Sequence, residues 1–141
     1  MAGHDDPVEN LAQLLRTYLG DALAPAECFS DMFTSSGVLE FPYAPADFPT
    51  RLEGREAIAS HARMVSQLLS IEELLDVEVL YSQERTKVVL EFCCEGMVRA
   101  TGKPYRQRYV SVITLRDGRI ALYRDYWNPL VVITAMEGGE A

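Results

Sequence analysis

Gly118-Arg119-Ile120-Ala121-Leu122-Tyr123-Arg124-Asp125-Tyr126-Trp127-Asn128-Pro129-Leu130 reads as a β-strand near the end of a small domain. Side chains alternate faces along a strand, so Tyr123, Asp125 and Trp127 point the same way. An acid between two aromatics is an odd arrangement for packing alone. Burying a carboxylate costs free energy unless a partner pairs with it, and buried acids tend to mark sites. The plainer reading has this face solvated and Asp125 exposed, and spacing leaves both open.

The preceding hairpin decides what Asp125 faces. A two-residue Asp117-Gly118 turn pairs Leu115 with Ile120. A three-residue loop, with Gly118 in the left-handed region, pairs Leu115 with Arg119. The longer loop puts Tyr105, Gln107, Tyr109, Ser111 and Ile113 on the face of Tyr123, Asp125 and Trp127. The shorter moves them to the other face, because a one-residue slip inverts every side chain. The three-residue loop is preferred. It gathers aromatics, hydroxyls, an amide and one acid on one surface, the composition of a small-molecule pocket. Arg106, Arg108, Val110, Val112, Arg124 and Tyr126 then look outward, toward solvent or a second subunit. Asp-Gly suits either turn.

Upstream, the pattern is helical. Asp6 and Pro7 start a helix running to about Leu23, with Leu11, Leu14, Leu15, Tyr18 and Leu19 at the spacing of one buried face. Pro25 opens a second, shorter helix to about Phe33, ended by Ser35-Ser36-Gly37. Val38 to Phe41 is a short strand. Pro42 to Glu53 holds three prolines and no periodicity, a long loop of the kind that forms lids or plain surface crossovers. Gly54 opens a third helix to about Leu69, with Ile58, Ala62, Val65 and Leu69 inward and His61 at the border. Strands follow at Asp76–Ser82, Thr86–Ala100 and Tyr105–Leu115, and Leu130–Met136 is a terminal helix or a strand extension. Helices first and a meander after predict an α+β fold, with three N-terminal helices on a curved antiparallel sheet. The chain is expected to be a single domain over 1–141, with flexible termini at 1–6 and 137–141.

At 141 residues the chain is long enough for one real core. No apolar run approaches the roughly 20 residues needed to span a bilayer, and Met1 to Asp6 has no signal-peptide character. A net charge of −8 argues against nucleic acid and against an anionic membrane surface. Cys28, Cys93 and Cys94 make an odd number without C-x-x-C spacing, so a disulfide framework or a zinc site is not expected, and the default compartment is a reducing cytoplasm. The bland role for these thiols is as small core hydrophobes.

The order of elements, together with Val38-Leu39-Glu40-Phe41-Pro42-Tyr43-Ala44-Pro45, Leu52-Glu53-Gly54-Arg55-Glu56-Ala57-Ile58 and the Gly118 to Leu130 strand, resembles the NTF2-like, or cystatin-like, cone fold. Within it the chain looks like the SnoaL-like polyketide cyclases and their ketosteroid isomerase and phenazine-biosynthesis A/B relatives. That resemblance implies an acid/base role for Asp125, which matches the Asp on the strand after the turn in SnoaL-like cyclases. Arg124-Asp125-Tyr126-Trp127-Asn128-Pro129 is similar to the corresponding phenazine A/B stretch. The oxyanion Tyr of ketosteroid isomerase matches Tyr18, but its base falls at Phe41 and its oxyanion Asp near Ser111, so two of its three essential groups are absent here. Trp127 matches a pocket tryptophan of some isomerases.

The chemistry so implied is proton abstraction next to a carbonyl on a small hydrophobic molecule, followed by isomerisation, cyclisation or dehydration, with no metal or organic cofactor. Desolvation would raise the Asp125 pKa toward neutrality. Tyr18 and Tyr109 could donate hydrogen bonds to a developing enolate. His61 could be a second acid/base or a backbone-bonded border residue, and Tyr18 a catalytic or a core tyrosine. Phe41, Tyr109, Ser111, Tyr123 and Trp127 are the expected lining. Glu40 should face away from the cone, and Arg51 and Arg55 read as structural. A homodimer through the outer sheet face is expected. The rival is a catalytically silent ligand-binding or interaction domain of the same fold. An epoxide hydrolase of this fold would need an Asp-Arg-Asp cluster, and only Asp125 lies on the pocket face.

Overall fold

The computed structural model describes residues 5–137. Six strands form one sheet: β1 (Phe33–Glu40), β2 (Arg51–Glu53), β3 (Leu69–Tyr81), β4 (Lys87–Val98), β5 (Pro104–Arg116) and β6 (Arg119–Trp127). Their order is β2-β1-β6-β5-β4-β3. The last four make the expected meander. The sheet is mixed rather than purely antiparallel, because β1 runs parallel to β6. Pairing shifts within β3, where Asp76 takes φ 56°, and within β1. Such bulges bend a sheet and increase its twist. Helices α1 (Pro7–Leu19) and α2 (Arg55–Leu68) pack against the sheet, and α3 (Pro129–Met136) follows β6.

Helix α1 starts where its sequence signals. The Asp6 carboxylate accepts from the N–H groups of Val8 (2.9 Å) and Glu9 (3.3 Å), and Pro7 needs no donor partner. It ends at Gly20, which takes φ 50°. Asp5 and Asp6, expected in a loose terminus, are tied down. Asp5 C=O accepts from Ile71 N–H at 2.9 Å, its carboxylate from Ser70 and Arg99, and Ser66 Oγ donates to Asp6 at 2.8 Å. Of the other expected loose residues, Glu137 closes α3, its N–H donating to the Ile133 and Ala135 carbonyls, and residues 1–4 and 138–141 lie outside the described residues.

The second helix expected from Pro25 to Phe33 is not there. One 3-10 turn, Ser30–Met32, replaces it, and another, Gly20–Ala22, follows α1. The carbonyls that would build that helix are held by arginines instead. Arg119 donates to Ala24 O (3.3 Å) and Pro25 O (3.0 Å), and Arg16 to Ala26 O (3.4 Å) and Glu27 O (3.2 Å). Ser35-Ser36-Gly37, read as a helix breaker, is the irregular middle of β1. A Cβ on Gly37 would stand 2.9 Å from Ile120 O, so the strand can approach β6 there only without a side chain.

The hairpin before β6 combines both sequence readings. Arg116 pairs with Arg119 and Leu115 with Ile120, so the turn has two residues, not three. Asp117 (φ 52°) and Gly118 (φ 79°) both take the positive φ that a type I′ turn requires. Beyond it, Thr114 pairs with Leu122, leaving Ala121 unpaired as a bulge. That extra residue inverts the register once. Ile113, Ser111 and Tyr109 therefore oppose Tyr123, Asp125 and Trp127, the faces expected from the longer loop.

The core lies between this inner sheet face and the helices. Leu15, Leu19, Met32, Phe33, Ile58, Leu90, Ile113, Ile120 and Tyr123 are fully enclosed there. Phe29 meets Phe33 and Tyr123 edge-on, with ring centroids 5.2 and 5.8 Å away.

Candidate active site

A cavity of about 110 Å³ opens between the sheet and the helices. The first two turns of α1 (Pro7, Val8, Leu11) and the inner face of α2 (Ile58, His61, Ala62, Val65) wall one side. The strands supply Leu39, Ile71, Leu74, Phe92, Cys94, Tyr109, Tyr123 and Asp125. The lining is apolar apart from one carboxyl, two phenols, an imidazole and a thiol.

Asp125 is the most perturbed of these groups. No described residue donates a hydrogen bond to its carboxylate or forms an ion pair with it. Burial alone pushes its pKa up to about 8 from an ordinary 3.8. The residue keeps some accessible surface, but it lines the cavity, so that surface is cavity wall rather than outer surface. At neutral pH the group is chiefly the neutral acid.

The strand pairing surrounds this carboxyl with the expected neighbours. Ser111 sits directly across from Asp125 on β5, and its Oγ lies 2.8 Å from the Tyr123 hydroxyl. Ser111 is itself fully buried and outside the cavity wall, so it serves Tyr123 rather than a ligand. Burial, then the Asp125 charge, raises the Tyr123 phenol, and burial likewise raises Tyr109. Tyr109 lines the cavity and stacks on Phe92 at 5.3 Å. His61 lines it from α2, with its pKa lowered by burial. Phe41 and Trp127 stand one layer behind. Phe41 lies 5.0 Å from the His61 ring and 6.1 Å from that of Trp127, so these two shape the wall by holding His61.

Tyr18 does not join the site. It is 36% exposed and absent from the cavity wall. It shares the helical face of Leu11 but lies seven residues on, about 10 Å further along the axis, whereas the cavity ends with the first turns of α1. Its backbone carbonyl accepts from the Tyr81 hydroxyl on the outer strand. Glu40 faces away from the cavity and pairs with Arg124 (3.2 Å) and Arg51 (3.9 Å), and Arg55 donates to Phe33 O at 2.8 Å.

Sequence reading missed the part played by Cys94, Tyr105 and Gln107. Cys94 lines the cavity, and burial pushes its thiol up to about 11, so it is an inert wall rather than a nucleophile. Tyr105 and Gln107 form a buried polar cluster behind Tyr109. Alternation along β5 puts both on the inner face, but spacing does not distinguish a polar cluster behind the cavity from its lining. Among the described residues no group of three or more His, Cys, Asp or Glu is placed to hold a metal ion, and no helix is long and apolar enough to cross a membrane.

Residues 20–123 match the SnoaL-like domain family. The uncharacterised protein YesE of Bacillus subtilis (strain 168) is 40% identical over 131 residues, which cover 92% of this chain and 89% of that protein. An uncharacterised PhzA/B-like protein of Pseudomonas aeruginosa is 41% identical over 116 residues, 82% of each chain. A solved structure from Bacillus subtilis, provisionally named an isomerase, superposes with a TM-score of 0.74 at 39% identity, covering 90% of this chain and 86% of that one.

Proposed function

The chain belongs to the SnoaL-like domain family, and from that premise we propose that it is a small-molecule isomerase or cyclase acting by proton transfer next to a carbonyl. The family is one whose structural neighbours are named as isomerases and cyclases. The observation that carries the finer reading is the unpaired Asp125 carboxyl, held in an apolar cavity beside the Tyr109 phenol.

A carboxylate with a pKa near 8 is a far stronger base than one at 3.8, and it gains that strength only where water is kept away. In its ionised form Asp125 removes a proton from the carbon next to a carbonyl. The oxygen that gains charge is stabilised by the Tyr109 hydroxyl. The protonated acid then returns the proton to another carbon, completing an isomerisation; in a ring closure the enolate carbon instead attacks a second carbonyl of the same substrate, and the acid gives its proton to the alkoxide that forms. His61, kept neutral by burial, orients the substrate from the opposite wall. The chain's own groups suffice for this sequence of proton transfers. A volume of about 110 Å³ favours a compact hydrophobic substrate.

Turnover of small cyclic enones and β-keto esters, followed by deuterium exchange next to the carbonyl, tests this reading. Wild type should exchange and Asp125→Asn should not. Equal exchange in both would leave a binding domain rather than an enzyme.

The outer sheet face supports a homodimer. It presents half-buried Val110, Val112 and Tyr126 among the ion pairs Arg108–Glu91 and Arg124–Glu40. Light scattering should return twice the 15.8 kDa chain mass.

A further inference from the structure

Behind Tyr109 lies a buried polar cluster that the proton-transfer scheme does not use. Gln107 and Tyr105 are 3% and 4% exposed, on the inner face of β5. A buried glutamine must satisfy an amide with distinct donor and acceptor ends. Here the backbone dictates which end is which. Gln107 Oε1 accepts from the N–H of Asn128 at 3.0 Å and of Arg108 at 3.2 Å, while Nε2 donates to the Asn128 carbonyl at 3.1 Å. Reversing the amide would set NH₂ against two N–H groups and oxygen against a carbonyl. Its orientation is therefore fixed.

The remaining contacts inherit that direction. Gln107 Nε2 lies 3.4 Å from the Tyr105 hydroxyl oxygen and must donate to it. The Tyr105 hydroxyl is buried, and among the described residues its proton has no acceptor besides the Tyr109 hydroxyl at 3.3 Å, so Tyr105 donates there. Tyr109, accepting from Tyr105, is left with its proton on the cavity side. The Cys94 thiol lines the same cavity and is only a weak acceptor, so a carbonyl oxygen competes well for that proton.

We infer that Gln107 and Tyr105 are positioning residues that polarise Tyr109 as a one-way hydrogen-bond donor, so that the cavity selects ligands presenting an acceptor oxygen, a carbonyl rather than a hydroxyl or amine. The inference rests on the proposed reading of this cavity as the binding site. The donor chain begins at Asn128, the cap of α3, whose side chain accepts from Leu130 N–H at 2.9 Å. The start of the terminal helix therefore sets the polarity of a phenol in the cavity. Each bond in such a chain strengthens the next, so Tyr109 donates more strongly than an isolated phenol.

Two measurements test this. In ligand-free protein carrying tyrosine labelled with ¹³C at Cζ, Gln107→Glu replaces the amide donor with an acceptor of the same shape and turns Tyr105 toward residue 107. The Cζ resonances of both Tyr105 and Tyr109 should move. A mere tether for α3 would move only that of Tyr105, and an unmoved Tyr109 resonance overturns the chain. Tyr105→Phe, which leaves the α3 contact intact, should move Tyr109 as well. The second measurement is the infrared carbonyl stretch of cyclopent-2-enone. It should be red-shifted in wild type, lose that shift in Tyr109→Phe, and lose more than half of it in Gln107→Glu. No red-shifted band in wild type overturns the acceptor preference. If these shifts hold while Asp125→Asn still exchanges deuterium, the donor chain stands and the acid/base scheme falls. The opposite pattern separates them the other way.

Discussion

Asp125 and Asp5 are the same chemical group in opposite surroundings. Asp5 lies on the surface, where Ser70 and then Arg99 hold its carboxyl below the usual carboxylate range. Asp125 lines a mostly apolar cavity where no described residue donates to it, and its pKa rises to about 8. Asp5 clasps the chain start to β3 and gains from being charged. Asp125 loses from being charged, and carboxyls held at such a cost cluster at functional sites. What an aspartate does here is decided by what stands within hydrogen-bond reach, not by its position in a pattern.

The comparison breaks most completely if Asp125 is moved to the outer face. Exchanging two neighbours does this: in the double variant Arg124→Asp, Asp125→Arg the carboxyl sits on the outer face and a guanidinium enters the apolar cavity, because successive side chains on a strand face opposite sides. Burying that unpaired charge should cost more than about 4 kcal/mol, read as the denaturation midpoint. Deleting Ala121 removes only the bulge, so that Leu115–Ile120 and Thr114–Leu122 become adjacent pairs with Ser111 still opposite Asp125, and should cost far less.

Next in size, Asp125→Asn should lower kcat/KM roughly 100- to 10,000-fold, the usual worth of a positioned acid or base. In wild type, kcat/KM should rise about tenfold per pH unit and level off near pH 8, as the carboxylate form fills. His61, with its pKa lowered from 6.5, adds no limb above neutrality.

Stability sharpens the contrast. A carboxyl whose pKa is raised by folding favours the folded state fully below its unfolded value near 3.8, and that contribution is lost as pH rises toward about 8. The slope is about 1.4 kcal/mol per pH unit. Between pH 5 and 7 wild type should therefore lose about 2 to 3 kcal/mol relative to Asp125→Asn. Asp5 has the opposite sign: its contribution is present above pH 3.8 and disappears on acidification through its lowered pKa. Asp5→Ala should give the smallest effect, faster hydrogen exchange at the Ile71 amide with only a slight fall in Tm, and that fall should vanish at high salt.

Much of this was legible before any coordinates. Alternation along β5 and β6 puts the right residues on the inner face, and Asp6-Pro7 marks the start of α1, while Leu130–Met136 reads equally as helix or strand extension and is a helix in the fold. The misses share a cause, which is that tertiary partners replaced local ones. Arg119 and Arg16 took the carbonyls of the Ala24–Glu27 stretch, so no helix formed there. The turn before β6 is short, yet the faces came out as expected, because a bulge at Ala121 compensates for it. Nothing in an alanine announces a bulge. Tyr18 follows the spacing of the buried helix face, but spacing along a helix does not say how far the cavity extends.

Strand β6 carries the acid between β5, its neighbour in the meander, and β1, made near the start of the chain. Glu40 and Arg124, which join β1 to β6, are 84 positions apart in sequence. A long-range parallel pairing of this kind is entropically expensive and forms slowly. During synthesis the meander can assemble as soon as it is made. The strand bearing Asp125 has both edges covered only once β1 has closed on it, so the shelter of that carboxyl depends on a pairing between the two ends of the fold.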